Sequence, residues 1–271
     1  MEKAPLAAAF DAAADHYDDP LLGFWDYFGR RTIDRLDLPA GARVIDVCCG
    51  AGASALPAAE AVGPQGEVLG VDLSPALLDL AWAKARERGL TNVRFEVADF
   101  EAMARPAAPY DAAVCVFGIF FFKDMSAALR SLASRVRPGG IVAVTSWGTE
   151  VLEPADRLFW DAVRAERPDL AREVRPWDRI STQQGLTELF AEAGLPGAFA
   201  EPETWTLSLP SPEDFWRIVL GSGYRGVVDQ LDAAARERVR RQLTARLREV
   251  DVSRLAMMAV YGTALTSPGP G

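Results

Sequence analysis

The sequence predicts an α/β fold with a doubly wound, mostly parallel sheet of seven strands. Three observations lead to this prediction. Five short apolar segments alternate with helix-length segments in the first half of the chain, which is typical of a parallel sheet. The first of them leads directly into a glycine turn, Gly50-Ala51-Gly52, that opens a helix. The second half adds two more strand-like segments and contains no internal repeat or low-complexity linker.

The five strands of the first half are each bounded by turn residues. The segment 110–116 is almost wholly apolar, as expected of a central strand that helices cover on both faces. In the third segment, Phe95 and Val97 alternate with charged residues, so one face of that strand is expected to be more polar. The predicted strands cover residues 43–47, 67–71, 93–97, 110–116 and 141–146.

The helices between these strands have recognisable starts and stops. The first covers about 54–62 and ends at Gly63-Pro64, and the second opens at Ser74-Pro75, an N-cap followed by a proline. A later helix carries one apolar stripe formed by Met125, Leu129, Leu132 and Val136. Right-handed crossovers between parallel strands then place the loops that could bind a ligand at one edge of the sheet.

We interpret residues 1–271 as a single domain with three parts. Residues 1–36 contain two helical segments that form an N-terminal cover, residues 37–147 form the core, and residues 148–271 supply a lid and the last strands. The predicted elements outside the core are helices at 7–14, 22–36, 182–193 and 233–249, a helix capped by 211–214, strands at 204–209 and 255–265, and a loose tail at 267–271.

Composition excludes several classes of function. Of the 271 residues, 49% are hydrophobic and 25% charged, and the net charge is −9, so a folded core is expected and nucleic-acid binding is not. The longest apolar stretch, 112–122, is about half a membrane span, and we find no signal peptide. We therefore expect a cytoplasmic protein that has no membrane or nucleic-acid partner. One histidine and three cysteines predict neither a metal site nor a disulfide framework. The oligomeric state stays open.

Acidic residues at three neighbouring strand ends indicate a nucleoside-binding site. Asp72 ends the second strand, where a carboxylate can accept hydrogen bonds from ribose hydroxyls, and the glycine turn lets backbone N–H groups approach a ligand. Taken alone, this turn also fits a dinucleotide fingerprint. Asp46 argues against that, because a buried anion beside the turn would not help a pyrophosphate to bind. Asp99-Phe100, after the third strand, can hold an exocyclic amine and pack against a purine.

The combination of these segments resembles the class I S-adenosylmethionine-dependent methyltransferases, of the broad group that includes quinone-biosynthesis enzymes. The resemblance extends from about Phe10 to Trp147, and it includes the cofactor-covering segment around Phe10-Asp11 and Tyr17-Asp18. Cys48 departs from the pattern, because many members carry glycine there, but a small side chain should still fit. The other segments that carry the resemblance are 44–52, 70–74, 97–100, 110–114 and 137–140.

This resemblance implies a Rossmann-like methyltransferase fold, S-adenosylmethionine as cofactor and a hydrophobic small molecule as substrate. The expected reaction is methyl transfer to an O, C or N atom of that molecule. By the same resemblance Asp72 binds the ribose and Asp99 the adenine amine. The residues expected to bind the cofactor are Tyr17, Asp46, Gly50, Gly52, Asp72, Leu73, Asp99, Phe100 and Phe117.

The catalytic and substrate residues are predicted on weaker grounds. His16 is the only residue that ordinarily titrates near neutral pH, so it is the candidate catalytic base, although a surface or capping role is the better explanation of a single histidine. Aromatic residues after the fourth strand and in the lid could form an apolar substrate wall or simply core. The substrate-binding candidates are Phe120, Phe121, Trp147, Trp177 and Trp216, with Phe215 and Tyr224 as further lining residues.

Two alternatives stay open at the level of sequence. A nicotinamide-dependent oxidoreductase is compatible with the glycine turn, although we find no Tyr-x-x-x-Lys pair. A cofactor-retaining enzyme that does not transfer methyl groups, for example a cyclase, is compatible with the absence of a clear catalytic base.

Overall fold

Seven strands form one sheet in the computed structural model, which describes residues 3–171 and 174–267. The strands are β1 (Arg43–Val47), β2 (Glu67–Asp72), β3 (Val93–Val97), β4 (Tyr110–Val116), β5 (Val136–Glu153), β6 (Phe199–Ser208) and β7 (Arg254–Leu265). Their order across the sheet is β3-β2-β1-β4-β5-β7-β6, and β7 runs antiparallel to both of its neighbours. The predicted fold class is confirmed. Most of the tail predicted to be loose lies outside the described residues.

Helices flank this sheet, and several begin where the sequence indicates. The hydroxyl of Ser74 accepts a hydrogen bond from the backbone of Leu77 (3.2 Å), and Pro75 is the first helical residue after it, a favourable start. The α-helices in the described ranges are α1 (Lys3–Ala13), α2 (Phe24–Ile33), α3 (Ala55–Val62), α4 (Pro75–Glu87), α5 (Met125–Ala133), α6 (Ala155–Glu166), α7 (Gln183–Glu192), α8 (Phe215–Leu220), α9 (Arg225–Val228) and α10 (Ala233–Glu249).

The largest departure from the prediction concerns β5. We predicted a strand at 141–146, but β5 has 18 residues and continues to Glu153, with register shifts against β7 after Trp147. The expected place of Val136 on the helical stripe is wrong, because α5 ends at Ala133 and Val136 begins β5. The extension matters for function because it carries the chain beyond the edge of the parallel strands and directly into α6.

The N-terminal segment contributes to the core as well as covering it. Phe24 and Phe28 on α2 are fully buried, and the hydroxyl of Thr32 lies 2.7 Å from that of Thr145 on β5. Arg31 and Arg35, also on α2, pair with Glu203 on β6. This second helix is therefore fixed to the sheet by packing and ion pairs.

None of the helices in the described ranges is both long and apolar enough to cross a bilayer.

Candidate functional site

A cavity of about 750 Å³ lies at the carboxyl ends of the parallel strands. The loops after β1, β2, β3 and β4 form one side of it, α1 lies over it, and the extension of β5 with α6 closes its far end. Most of the residues predicted to bind cofactor or substrate line this cavity. They are Tyr17, Gly50, Asp72, Leu73, Asp99, Phe100, Phe117, Phe120, Phe121, Trp147 and Trp177.

The glycine turn after β1 is held by the carboxylate of Asp72. One oxygen of Asp72 accepts a hydrogen bond from the backbone N–H of Gly50 (2.8 Å), and the other accepts one from Ser74 (2.9 Å). Gly50 and Gly52 both have positive φ angles, 51° and 85°, which glycine adopts without steric cost. A Cβ added at Gly52 would lie 3.0 Å from the side chain of Leu56. Gly52 belongs to the turn but does not line the cavity.

Cys48 takes the glycine-like position in this turn and has a φ angle of 60°. Its side chain occupies the space beside Gly118, where an added Cβ would lie 2.4 Å from the Cβ of Cys48. The small side chain therefore fits, as the sequence suggested, but only because residue 118 is glycine. The two residues form a matched pair on adjacent strand ends.

Asp46 is almost completely buried beneath the turn, with 1% of its surface exposed. Its Oδ2 accepts a hydrogen bond from Ser54 (2.6 Å), a residue of the cavity wall, while its Oδ1 has no partner within the described structure. Burial, the main cause, raises the pKa of Asp46 to about 7, although the bond from Ser54 opposes this. A buried carboxylate oxygen without a donor is costly, so this position favours a ligand that supplies positive charge nearby.

Asp99 lies on the cavity wall just after β3 and is tied to α1. Its carboxylate accepts a bond from the backbone of Glu101 (3.1 Å) and pairs with the Lys3 ammonium group at 2.6 Å. At the other end of α1, Asp11 accepts a bond from the hydroxyl of Ser74 (2.5 Å). Two polar contacts therefore hold α1 across the cavity, which agrees with a covering role for this segment.

Aromatic rings form the middle of the cavity. The rings of Phe117 and Trp147 stack with centroids 3.8 Å apart, and both side chains are buried. Trp25 packs against both of them and stacks on Tyr17, with centroids 5.7 Å apart. Burial raises the pKa of Tyr17 well above its usual value, so its phenol is neutral. These rings give the cavity a rigid apolar centre.

Phe120, Phe121 and Trp177 extend this apolar surface toward the lid. The rings of Phe120 and Trp177 lie 5.4 Å apart, and those of Phe120 and Phe121 lie 4.8 Å apart. Phe100 packs under the guanidinium group of Arg135 at 4.5 Å. Phe100 is therefore both part of the wall and part of the core beneath it.

The structure does not bring His16 and Trp216 to the cavity wall. The Nδ1 atom of His16 lies 2.7 Å from the carboxylate of Asp15 in a partly exposed turn. Trp216 lines a small surface groove beside α10, together with Arg236 and Arg240. Phe215 is completely buried and is not a wall residue. The catalytic role of His16 and the substrate contact of Trp216 stay predictions that this placement does not support.

The far end of the cavity contains a buried carboxylate that the sequence analysis did not identify. Asp156, in the first turn of α6, accepts hydrogen bonds from Trp160 (3.0 Å) and from the hydroxyl of Tyr224 (2.5 Å). Tyr224 was expected to line the pocket, and it does. The only local indication for Asp156 was its spacing of four residues from a tryptophan, which is common in helices and says little about a site.

Comparisons with known proteins agree with this geometry. The profile of a methyltransferase domain matches residues 44–140. The chain is 38% identical over 144 residues to the aklanonic acid methyltransferase of Streptomyces sp. (strain C5), a match that covers 53% of this chain and 66% of that protein, just under two thirds.

A second relative matches over a longer region at lower identity. The demethylmenaquinone methyltransferase of Anoxybacillus flavithermus is 26% identical over 211 residues, which cover 72% of this chain and 89% of that protein. Among solved structures, the [4+2]-cyclase SpnF is similar with a TM-score of 0.54 and 22% identity, over 90% of this chain and 81% of that one. This last likeness concerns the fold alone.

Proposed function

We propose, from the premise that the chain belongs to the class I S-adenosylmethionine-dependent methyltransferases, that it transfers a methyl group from S-adenosylmethionine to a hydrophobic small molecule. The observation that carries this proposal is the set of carboxylates at three neighbouring strand ends. Asp72 and Asp99 lie on one cavity wall, and Asp46 lies directly beneath it. In this proposal residues 1–271 act as one domain.

The residues at this end of the cavity fit the cofactor. Each oxygen of Asp72 already accepts one backbone N–H, but a carboxylate oxygen has a second lone pair and can also accept from a ribose hydroxyl. Asp99 shares its carboxylate between the adenine amine and Lys3. The partnerless oxygen of Asp46 favours the positively charged methionine portion. Tyr17, Gly50, Leu73, Phe100 and Phe117 complete the cofactor-binding set.

The protein's task in this reaction is positioning rather than covalent chemistry. When bound, the cofactor supplies a sulfonium methyl group that is already activated. The stacked pair Phe117 and Trp147 fixes one wall of the reaction space, and α1 excludes water from above. Correct alignment of two reactants can account for about 7–11 kcal/mol of a barrier at most, so a rigid apolar wall contributes directly to rate.

The acceptor is a hydrophobic small molecule with an aromatic or similarly flat body. Phe120, Phe121, Trp147 and Trp177 offer apolar surface beyond the cofactor loops. The similarity to proteins named for aklanonic acid and demethylmenaquinone methylation supports such an acceptor. Which atom receives the methyl group, O, C or N, is decided by the pose of the acceptor.

The decisive experiment is a transfer assay with methyl-labelled S-adenosylmethionine. We expect S-adenosylhomocysteine to form when the protein is incubated with hydroxylated naphthoquinones and anthraquinones. Tight cofactor binding without transfer to any acceptor would favour the cofactor-retaining alternative. Binding of NAD(H) without binding of S-adenosylmethionine would favour the oxidoreductase, which gains no support from a buried acid beneath the turn.

A variant pair tests the cofactor site itself. Asp72→Ala removes the carboxylate that in this proposal accepts a bond from the ribose, so it should weaken S-adenosylhomocysteine binding by about 1–3 kcal/mol, measured by isothermal titration. Asp111→Asn is the matched control, because Asp111 binds Arg43 and Arg137 at the opposite end of the sheet. An Asp72 variant with wild-type affinity would place the ribose elsewhere.

A further inference from the structure

The far end of the cavity differs in chemistry from its apolar centre. β5 continues past Trp147 to Glu153, and α6 begins two residues later, which places Asp156 on the cavity wall. While β5 runs from Trp147 to Glu153, its partner β7 advances by only three residues, from Ala259 to Ala256. At about 3.3 Å per residue, the three-residue advance along β7 corresponds to a distance of about 10 Å, which is comparable to the length of three fused rings.

One carboxylate oxygen of Asp156 accepts hydrogen bonds from neighbouring side chains, whereas the other is open to a further donor. Only 7% of its surface is exposed. Both of its hydrogen bonds, from Trp160 Nε1 and Tyr224 Oη, go to Oδ1, and Oδ2 accepts none from side chains in the described ranges. The two donors fix the plane of the carboxylate, so Oδ2 has a set position.

Two further wall residues at this end carry polar atoms that lack a partner, as Trp25 does at the centre of the cavity. The indole N–H of Trp177 and the hydroxyl of Ser222 are buried and make no hydrogen bond in the part of the chain that the structure describes. Unsatisfied buried polar groups are uncommon in folded proteins and call for an explanation. They add polar character to the end of the cavity where Asp156 lies.

We propose that Asp156 is a specificity-determining subsite that accepts a hydrogen bond from a hydroxyl group of the acceptor substrate, remote from the methylated atom. This inference rests on the proposed function and narrows its substrate class to flat molecules with a hydroxyl group at the end far from the cofactor. Glu153, three residues before Asp156, lies about 10 Å beyond Trp147 along the strand direction, so we assign Asp156 to substrate selection and not to methyl transfer.

The charges around Asp156 favour a neutral hydrogen-bond donor over a charged ligand. A carboxylate ligand would face both Asp156 and the half-buried Glu153, whose pKa burial and Asp156 raise. A cationic ligand would face Arg157 and Arg175, which act on Glu153 in the opposite direction. A neutral hydroxyl avoids both conflicts, and an ionised carboxylate is a strong acceptor for it.

Two probes that differ by one hydroxyl group test the subsite. We would add 2,6-dihydroxyanthracene or 2-hydroxyanthracene to the complex of the protein and S-adenosylhomocysteine. The measurement is made at pH 8, because burial raises the pKa of Asp156, while ordinary phenols stay neutral at this pH. The wild type should bind the dihydroxy probe about tenfold or more tightly, as expected for a hydrogen bond to a charged group. In Asp156→Asn, whose neutral amide makes a weaker hydrogen bond, this ratio should fall by about fivefold or more.

The controls separate this inference from the proposed function. Asp169→Asn removes an exposed carboxylate that pairs with Arg167 and should keep the wild-type ratio. Asp156→Asn should keep the wild-type affinity for S-adenosylhomocysteine, which also verifies that it folds. A wild type that binds both probes equally, or a variant that keeps the ratio, would overturn the subsite. A wild-type protein that does not bind S-adenosylhomocysteine would instead contradict the proposed function.

Discussion

The two ends of the cavity are built in different ways. At the cofactor end, carboxylates and backbone N–H groups of adjacent strand ends bind one another, as in the contacts of Asp72 with Gly50 and Ser74. At the far end, Asp156 depends on a bond from Tyr224, 68 residues away in the chain. The first end is part of the sheet, whereas the second is assembled from segments packed on it. We therefore expect changes at the first end to alter stability and cofactor affinity, and changes at the second to alter acceptor selection.

The largest expected difference is between two tryptophans of the wall. Trp147 is 5% exposed and stacks on Phe117, so Trp147→Ala should reduce the free energy of unfolding by about 3–5 kcal/mol. Trp177 is only partly buried, and Trp177→Ala should cost clearly less while weakening acceptor binding. Urea denaturation measures the first effect and titration with 2-hydroxyanthraquinone the second.

Equal losses of stability in the two variants would contradict this comparison. They would mean that Trp177 is as much a part of the core as Trp147 and that the apolar wall has no separate substrate end. A matched control is Trp82→Ala, since Trp82 is 37% exposed, packs on Phe95 and lies away from the cavity wall. Its variant should leave acceptor binding unchanged.

The sequence was informative about the cofactor end because its geometry is local. Asp46, Gly50 and Asp72 belong to one strand–turn–helix–strand unit, and the pairing of β1 with β2 brings them together wherever this unit folds. Asp156 could not be found in this way. Its position depends on the extra length of β5 and on a contact with Tyr224, neither of which has a local pattern. The catalytic role of His16 stays a prediction that its placement does not support, because a titratable residue near a site in sequence need not face it.

Asp46 provides a pH test of the cofactor end. Because burial raises its pKa to about 7, the folded protein holds a proton that the unfolded chain releases near pH 4. Protonated Asp46 therefore stabilises the folded protein by at most about 4 kcal/mol below about pH 4. This stabilisation is lost as the pH rises through about 7. Asp46→Asn should remove this decline, which thermal or urea unfolding between pH 4 and 8 measures. Asp72 and Cys49 are the ionisable neighbours of Asp46 and are unchanged in the variant.

Asp111 should change stability with pH in the opposite direction to Asp46. Its bonds with Arg137 and with the backbone of Arg43 hold its pKa below the usual value, so its contribution is present at higher pH and is lost as the pH falls. Asp111→Asn should therefore lower stability at pH 8 more than at pH 4. If Asp46→Asn showed this same trend, the buried acid beneath the turn would be ionised in the folded protein even without a ligand.

The smallest expected effect concerns the closure of α1 over the cofactor end. Lys3 pairs with Asp99 and Glu101, and all three side chains are at least one third exposed, so Lys3→Ala should cost less than about 1 kcal/mol. The loss should be local, because α1 is also held by Asp11 on Ser74. Hydrogen exchange of the α1 amides should accelerate by up to about fivefold, while exchange in α6 stays the same. Unchanged exchange in α1 would mean that the pair of Lys3 with Asp99 does not hold the helix, and that Asp11 and the packing of Phe10 against Phe121 do.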